Sequence, residues 1–172
     1  MQHAFAGPCS VGPSRVGFRP IAEADRAFLA ELYASTRVEE LAPLPWPDAA
    51  KSAFLNQQFT AQHTYYHQIY PDADYLLILR NEERIGRVYV HRSPGRISVI
   101  DIALLPEHRG QGIGSALFAE LIDEARVNSC EIDLHVEPSN PAQRLYLRLG
   151  FRFVERRGVY DYLIWTSRSK RL

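Results

Sequence analysis

The run Leu104-Leu105-Pro106-Glu107-His108-Arg109-Gly110-Gln111-Gly112-Ile113-Gly114-Ser115 carries the most specific chemical signal in the chain. An apolar strand end feeds a glycine-rich turn, and the turn opens into an amphipathic stretch. Backbone N–H groups in the first turn of a helix have no intrahelical partners, and the macrodipole adds roughly half a positive charge there. Gly110, Gly112 and Gly114 remove side chains that would hold a pyrophosphate away from those amides, and Arg109 adds a formal charge. The pattern points to a phosphorylated cofactor, although a strand-to-helix turn with no ligand would use the same glycines. ATP and GTP are disfavoured, because the loop lacks the closing Gly-Lys-Ser/Thr that meets the terminal phosphates and magnesium. NAD is disfavoured too: the spacing is Gly-x-Gly-x-Gly, and about 100 residues precede a motif that should open a βαβ unit.

A second segment, Asn140-Pro141-Ala142-Gln143-Arg144-Leu145-Tyr146-Leu147-Arg148-Leu149-Gly150-Phe151, follows after room for a helix and a strand. Together the two segments resemble the GNAT superfamily of N-acetyltransferases. Arg109 to Gly114 reads as its Gln/Arg-x-x-Gly-x-Gly/Ala pyrophosphate loop, and Asn140 to Phe151 as its Asn-x-x-Ala/Ala-x-x-x-Tyr-x-x-x-Gly-Phe segment. The motif-bearing resemblance runs from about Ile97 to Phe151. It implies acetyl-CoA as co-substrate and an amine of a small molecule or peptide as acceptor, acetylated by direct attack in a ternary complex. No serine, cysteine or lysine motif suggests a covalent acyl-enzyme. The alternatives are a non-catalytic acyl-CoA-binding or regulatory module, which would keep the loop and lose the acid, and a dinucleotide-binding oxidoreductase, against which glycine spacing and element order both argue.

In the resembled fold two central parallel strands splay apart, and pantetheine pairs with the backbone they leave free. The resemblance puts Ala103, Leu104 and Leu105 on that edge and Arg109, Gly110, Gln111, Gly112, Ile113, Gly114 and Ser115 around the pyrophosphate. Such β-augmentation needs only an extended apolar strand, and the Leu104 backbone amide becomes the candidate oxyanion donor. Tyr146 is the candidate general acid, since a thiol near pKa 8.5 and a phenol near about 10 are close enough for proton donation to the leaving thiolate. Its place in the stripe Ala142, Leu145, Tyr146, Leu149 suits packing equally well. Asn140 suits a helix N-cap, and the resemblance adds a polar contact to the cofactor arm. An attacking amine of pKa about 10.4 must lose a proton, for which Asp101, His135 and Glu137 are candidates. His63 and His67 stand one helical turn apart, but the glutamate of a His-Glu-x-x-His site and a third ligand are missing, so no metal is expected. Trp46 and Gln62 are candidate acceptor contacts.

These residues need elements to position them. Periodicity predicts a strand over 15–20, helices over 23–35 and about 48–68, and strands over 75–80, 84–92 and 96–105 joined by polar turns in an antiparallel meander. A helix over about 112–128 then crosses to a strand at 131–137, a connection long enough to make its flanking strands parallel neighbours. Asn140, Pro141 and Gln143 spell a capped short helix with a capping-box-like spacing, Gly150 ends it, and a hairpin around Arg157-Gly158 closes the chain. The expected class is mixed α/β with a GNAT-like fold: a central, mostly antiparallel sheet containing two splayed parallel strands, flanked by about four helices.

At 172 residues and 46 % hydrophobic content the chain suits one domain, assigned to 15–172 after a flexible leader at 1–14. Twenty basic residues balance twenty acidic ones. No excess charge draws the chain to nucleic acid or a membrane surface, and no segment reads as a signal peptide or membrane span. Cys9 and Cys130 make a poor disulfide pair, which favours a reducing, cytoplasmic setting. A homodimer is left open.

Overall fold

Short apolar runs bounded by turns lay out one sheet in the computed structural model, which describes residue 5, residues 9–11 and residues 14–167. The strands are β1 (Cys9–Val11), β2 (Ser14–Pro20), β3 (Asp74–Arg80), β4 (Glu83–Ser93), β5 (Arg96–Leu104), β6 (Glu131–Val136), β7 (Arg152–Arg157) and β8 (Tyr160–Thr166). Among the described residues they lie in the order β1-β2-β3-β4-β5-β6-β8-β7. All neighbours are antiparallel except β5 and β6, which run parallel. The helices are α1 (Arg26–Ser35), α2 (Val38–Leu41), α3 (Asp48–Ile69), α4 (Ile113–Asn128) and α5 (Gln143–Arg148).

The expected element order is present, with two additions. Val38–Leu41 forms the extra helix α2, raising the number of α-helices to five among the described residues. Within the segment expected to be a flexible leader, Cys9–Val11 pairs with β2, and Phe5 packs on Phe18 with ring centroids 4.6 Å apart. The rest of that expectation falls on residues 1–4, 6–8 and 12–13, outside the described residues.

Successive strand residues point to opposite sheet faces, so the core has two halves. Ile78, Val88, Val90, Ile97, Ile132, Leu134 and Leu163 pack with Leu117, Phe118 and Leu121 of α4 and with Tyr146 of α5. On the other face, Leu77 packs with Phe28, Leu29 and Leu32 of α1 and Phe59 of α3, with Ala103 and Leu105 at the margin. Each such fully buried side chain contributes about 1.5–3 kcal/mol. The meander β3-β4-β5 thus serves both halves at once.

An ionic knot sets the start of α1 on the sheet. Asp25, with its side chain only 3 % exposed, accepts two hydrogen bonds from Arg19 (2.7 and 2.8 Å), one from Arg84 (3.2 Å) and one from the Ala22 N–H (2.9 Å). The Arg19 hydrogen bonds, ahead of those from Ala22 and Arg84, hold its carboxyl well below the usual carboxylate range despite burial. Asp25→Ala is expected to cost about 1–2 kcal/mol in urea unfolding, because it removes charge-assisted hydrogen bonds whose donors, Arg19 and Arg84, are 42 % and 43 % exposed and can turn to water. A folded carboxyl pKa below the unfolded value makes this contribution complete above about pH 4 and progressively lost as pH falls toward the folded value. The stability gap between wild type and variant should therefore narrow in acid; a gap independent of pH would contradict the assignment.

Candidate active site

The site begins with a mismatch in strand pairing. β5 stays paired to β4 as far as Gly86↔Leu104, but pairs with β6 only from Arg96↔Glu131 to Val99↔Leu134. Between those limits Tyr89 faces Asp101 while Val90 faces Val99, so Ile100 is an extra residue on β5. A bulge bends and twists its strand. This one directly follows the last parallel pair, and beyond it β5 follows β4 and leaves β6.

Hydrogen-bond alternation then says which groups are free. The Leu105 N–H donates to the Ile85 carbonyl at 2.9 Å. Gly86 and Leu104 are therefore a non-hydrogen-bonded pair, and the N–H and C=O of Leu104 point to the other edge, as do those of Ile102. Both face the opening between β5 and β6, where the sequence reading needs the Leu104 amide. Gly86 makes this approach possible: a Cβ there would lie 2.3 Å from the Ala103 carbonyl oxygen and 2.8 Å from Leu104 Cδ2. The sequence reading missed Gly86, whose only signal is a glycine inside an otherwise regular strand.

The loop after β5 makes a single 3-10 turn at Pro106–His108 and then two left-handed steps, Gly110 at φ +71° and Gly112 at φ +82°. Gly112 is the N-cap of α4 and supplies no capping side chain. The first helical bond runs from the Ala116 N–H to the Gly112 carbonyl at 3.1 Å, so the amides of Ile113, Gly114 and Ser115 project forward without helical partners. A Cβ on Gly110 or Gly112 would meet nothing within 4 Å, whereas one on Gly114 would lie 3.3 Å from Leu145 Cδ2. The third glycine thus also lets α4 lie close to α5. Gln111 is pinned, donating to the Glu107 carbonyl (2.7 Å) and accepting from Arg80 (2.8 Å).

Tyr146 sits on α5, 6 % exposed, edge-on to Phe118 with ring centroids 5.0 Å apart. Burial, reinforced by the charge of Asp101, pushes its phenol up to about 12. Asn140 accepts the Ala142 N–H at 2.9 Å, but the N-cap of α5 is Ala142, so Asn140 closes the turn ahead of the helix instead of capping it. The capping-box expectation fails at Gln143: its Nε2 donates to Asp161 on β8 at 2.8 Å. The Asn140 N–H that a capping box would give to Gln143 Oε1 donates instead to the Glu137 carbonyl at 2.9 Å.

The opposite sheet face gathers the proton-acceptor candidates. Ile132, Leu134 and Val136 of β6 point into the core with α4, which turns Asp133 and His135 to the α1–α3 side. Asp101 accepts a 2.5 Å bond from the buried Arg87, which also donates to Gln62 at 3.0 Å. Glu137, just past β6, is bound by Arg37 at 3.1 Å. His135 is the first β6 residue beyond the last parallel pair, and among the described residues it has no ion pair or hydrogen bond; its ring lies 4.8 Å from that of Tyr162. Its edge is exposed, yet the protein packed around it lowers the imidazole pKa, with Arg157 adding to the shift and Asp133 opposing it. Gln62 is thus taken up by Arg87, and Trp46 lies edge-on to Phe54 at 5.6 Å and is 42 % exposed. His67 is engaged through Nδ1 with the His63 carbonyl (2.9 Å) and stacks on Tyr75 at 4.0 Å.

A sheet opened between its two parallel strands, with an uncapped glycine-rich helix start at the opening, defines an acetyltransferase fold. Solved structures share it: the PaiA N-acetyltransferase of Thermoplasma acidophilum in complex with coenzyme A superposes with a TM-score of 0.66 at 16 % identity, over 88 % of this chain and 98 % of that one. The profile described as the Acetyltransferase (GNAT) family matches residues 29–151, and the chain belongs to that family. Curated relatives include the aminoalkylphosphonate N-acetyltransferase of Salmonella typhimurium, 33 % identical over 90 residues (48 % of this chain, 58 % of the relative). Another is the [ribosomal protein bS18]-alanine N-acetyltransferase of Haemophilus influenzae, 30 % identical over 86 residues (49 % of this chain, 59 % of the relative). The matched region spans less than two thirds of the length of either relative.

Gly86→Ala tests whether strand geometry makes the site, because residue 86 touches no ligand group in this arrangement. It is expected to displace the end of β5 and weaken CoA binding roughly tenfold, about 1.4 kcal/mol, as read by calorimetry on the folded variant. Unchanged CoA affinity would show that the edge at Leu104 does not carry binding.

Proposed function

We propose that this chain is an acetyl-CoA-dependent N-acetyltransferase, carried by a single domain over 15–172, that acetylates an amine by direct attack in a ternary complex. The observation that carries the reading is the backbone edge at Ile102 and Leu104 that β6 leaves unpaired, opening beside the amides of Ile113, Gly114 and Ser115, which have no helical partners. An extended amide-bearing arm ending in a pyrophosphate fits that combination, with the arm along Ala103–Leu105 and the anion at Arg109–Ser115. Acetyl-CoA supplies the activated acetyl group. The Leu104 N–H is positioned as the donor to the thioester carbonyl as it gains negative charge.

Tyr146 then serves the departing sulfur. A phenol at about 12 keeps its proton at every physiological pH, and a thiol titrates near 8.5, so full transfer is uphill. The role that fits is hydrogen-bond donation to the developing thiolate. On the other face a proton must leave the attacking amine. Asp101 and Glu137 are engaged by guanidinium groups, whereas His135 has a free lone pair and a lowered pKa that keeps it neutral at pH 7. His135 is therefore the proton acceptor in this reading, and Asp101 contributes negative charge beside the opening.

The acceptor class stays broad, a primary amine of a small molecule or peptide; the names of the two relatives, one citing an alanine of a ribosomal protein and the other an aminoalkylphosphonate, span both. No helix among the described residues is long and apolar enough to cross a membrane. The reading includes a cytoplasmic setting, where a free thiol such as Cys130 stays reduced.

With an acceptor found by screening amines for thiol release, Tyr146→Phe is expected to lower kcat roughly 10- to 100-fold at unchanged CoA affinity, the loss of one hydrogen bond to a charged group. Wild-type turnover in that variant, with chemistry rate-limiting, would return Tyr146 to a packing role. The kcat profile should fall only on the acid side of about pH 6.5, as the imidazole gains its proton. His135→Gln should lower kcat and abolish that acid limb; persistence of the limb would assign the proton to another group.

A further inference from the structure

Arg109 stands in the anion loop, yet its guanidinium is engaged elsewhere. Its Nε donates to the Leu104 carbonyl at 2.8 Å, and Nη2 donates to Ser35 Oγ at 3.3 Å. Ser35 donates in turn to the Leu32 carbonyl at 2.7 Å, within the last turn of α1. One exposed side chain therefore joins the free edge of β5 to the end of the helix that borders the acceptor face. The Leu104 carbonyl is also one of the groups that an arm added to this edge would use, since strand addition takes both the N–H and the C=O of each outward-facing residue. The guanidinium already occupies one of that oxygen's two lone pairs and stands on the open edge, so an arm must share the carbonyl or displace Arg109.

The competition has a natural arbiter. A carbonyl is a neutral acceptor, and a phosphate on the neighbouring amides would offer the guanidinium charge-assisted hydrogen bonds about twice as strong. We propose that Arg109 is a positioning residue that reserves the Leu104 carbonyl and surrenders it when a diphosphate reaches the loop. The same movement breaks the tie to Ser35 and frees the end of α1. The proposal rests on the cofactor reading above and extends it: the two ends of the cofactor bind cooperatively through one side chain.

The test uses two probes on the full chain, CoA and pantetheine, the latter being the arm without its phosphates and nucleotide. Backbone-amide NMR titrations at up to millimolar ligand follow Ile102 and Leu104 in wild type, Arg109→Ala and Ser35→Ala. Arg109→Ala should weaken CoA roughly tenfold, because a phosphate partner is lost. It should also tighten pantetheine by about threefold or more, because the carbonyl no longer has to be vacated. Ser35→Ala should tighten pantetheine in the same direction by a smaller factor. Weaker CoA with unchanged pantetheine would make Arg109 a phosphate ligand only, and weakening of both probes would make it a structural staple; either overturns the proposal. Pantetheine that leaves Ile102 and Leu104 unperturbed in all three proteins would overturn it as well. Failure of wild type to bind CoA would instead remove the reading on which the proposal stands, and the proposal with it.

Discussion

Every backbone N–H and C=O in a sheet must find a partner, and a strand offers one edge to each neighbour. β5 meets that demand fully on its β4 side and for only four residue pairs, Arg96↔Glu131 to Val99↔Leu134, on its β6 side. The remainder, left unpaired by β6, is the candidate site. Ile100 supplies the bulge that turns β5 away, and Gly86 lets β4 keep hold of the departing strand closely enough to fix where Leu104 lies. Closing the pairing would add hydrogen bonds to the fold and leave no edge for a ligand arm.

The opening also divides the chemistry between two faces. α4 and α5 bring the anion loop and Tyr146 to one side, packed through Phe118 and Phe151. α1 and α3 cover the other, where Arg87, Asp101 and His135 lie. The groups proposed to serve the sulfur and the amine proton, Tyr146 and His135, thereby lie on opposite faces of the sheet. Burial acts on the two groups in opposite senses, raising the phenol and lowering the imidazole, and in both cases it favours the neutral form that the proposed role requires.

Much of this was legible in the sequence because it follows local rules. Short apolar runs bounded by polar turns mark β3, β4 and β5, the three glycines mark the loop, and Asn140 and Gly150 bracket the segment whose stripe carries Tyr146. Features set by partners distant in sequence were not legible. Asp101 is claimed by Arg87, Glu137 by Arg37 a hundred residues earlier, and Gln143 by Asp161. The bulge at Ile100 changes register by one residue without any compositional sign, and α2 is too short to show a helical period. Gly86 was visible as a residue but not as a close contact, which exists only once β4 and β5 are paired.

The account stands on the claim that alternate residues of one strand end are free for a ligand while their neighbours are not. Amide hydrogen exchange, resolved by residue with and without CoA, measures this directly. The amides of Ala103 and Leu105, which point toward β4, should exchange slowly in both conditions. Those of Ile102 and Leu104 should exchange fast alone and slow on adding CoA, together with Ile113, Gly114 and Ser115. Slow exchange at Ile102 and Leu104 without ligand, or fast exchange there with CoA bound, would contradict the open edge as the binding site.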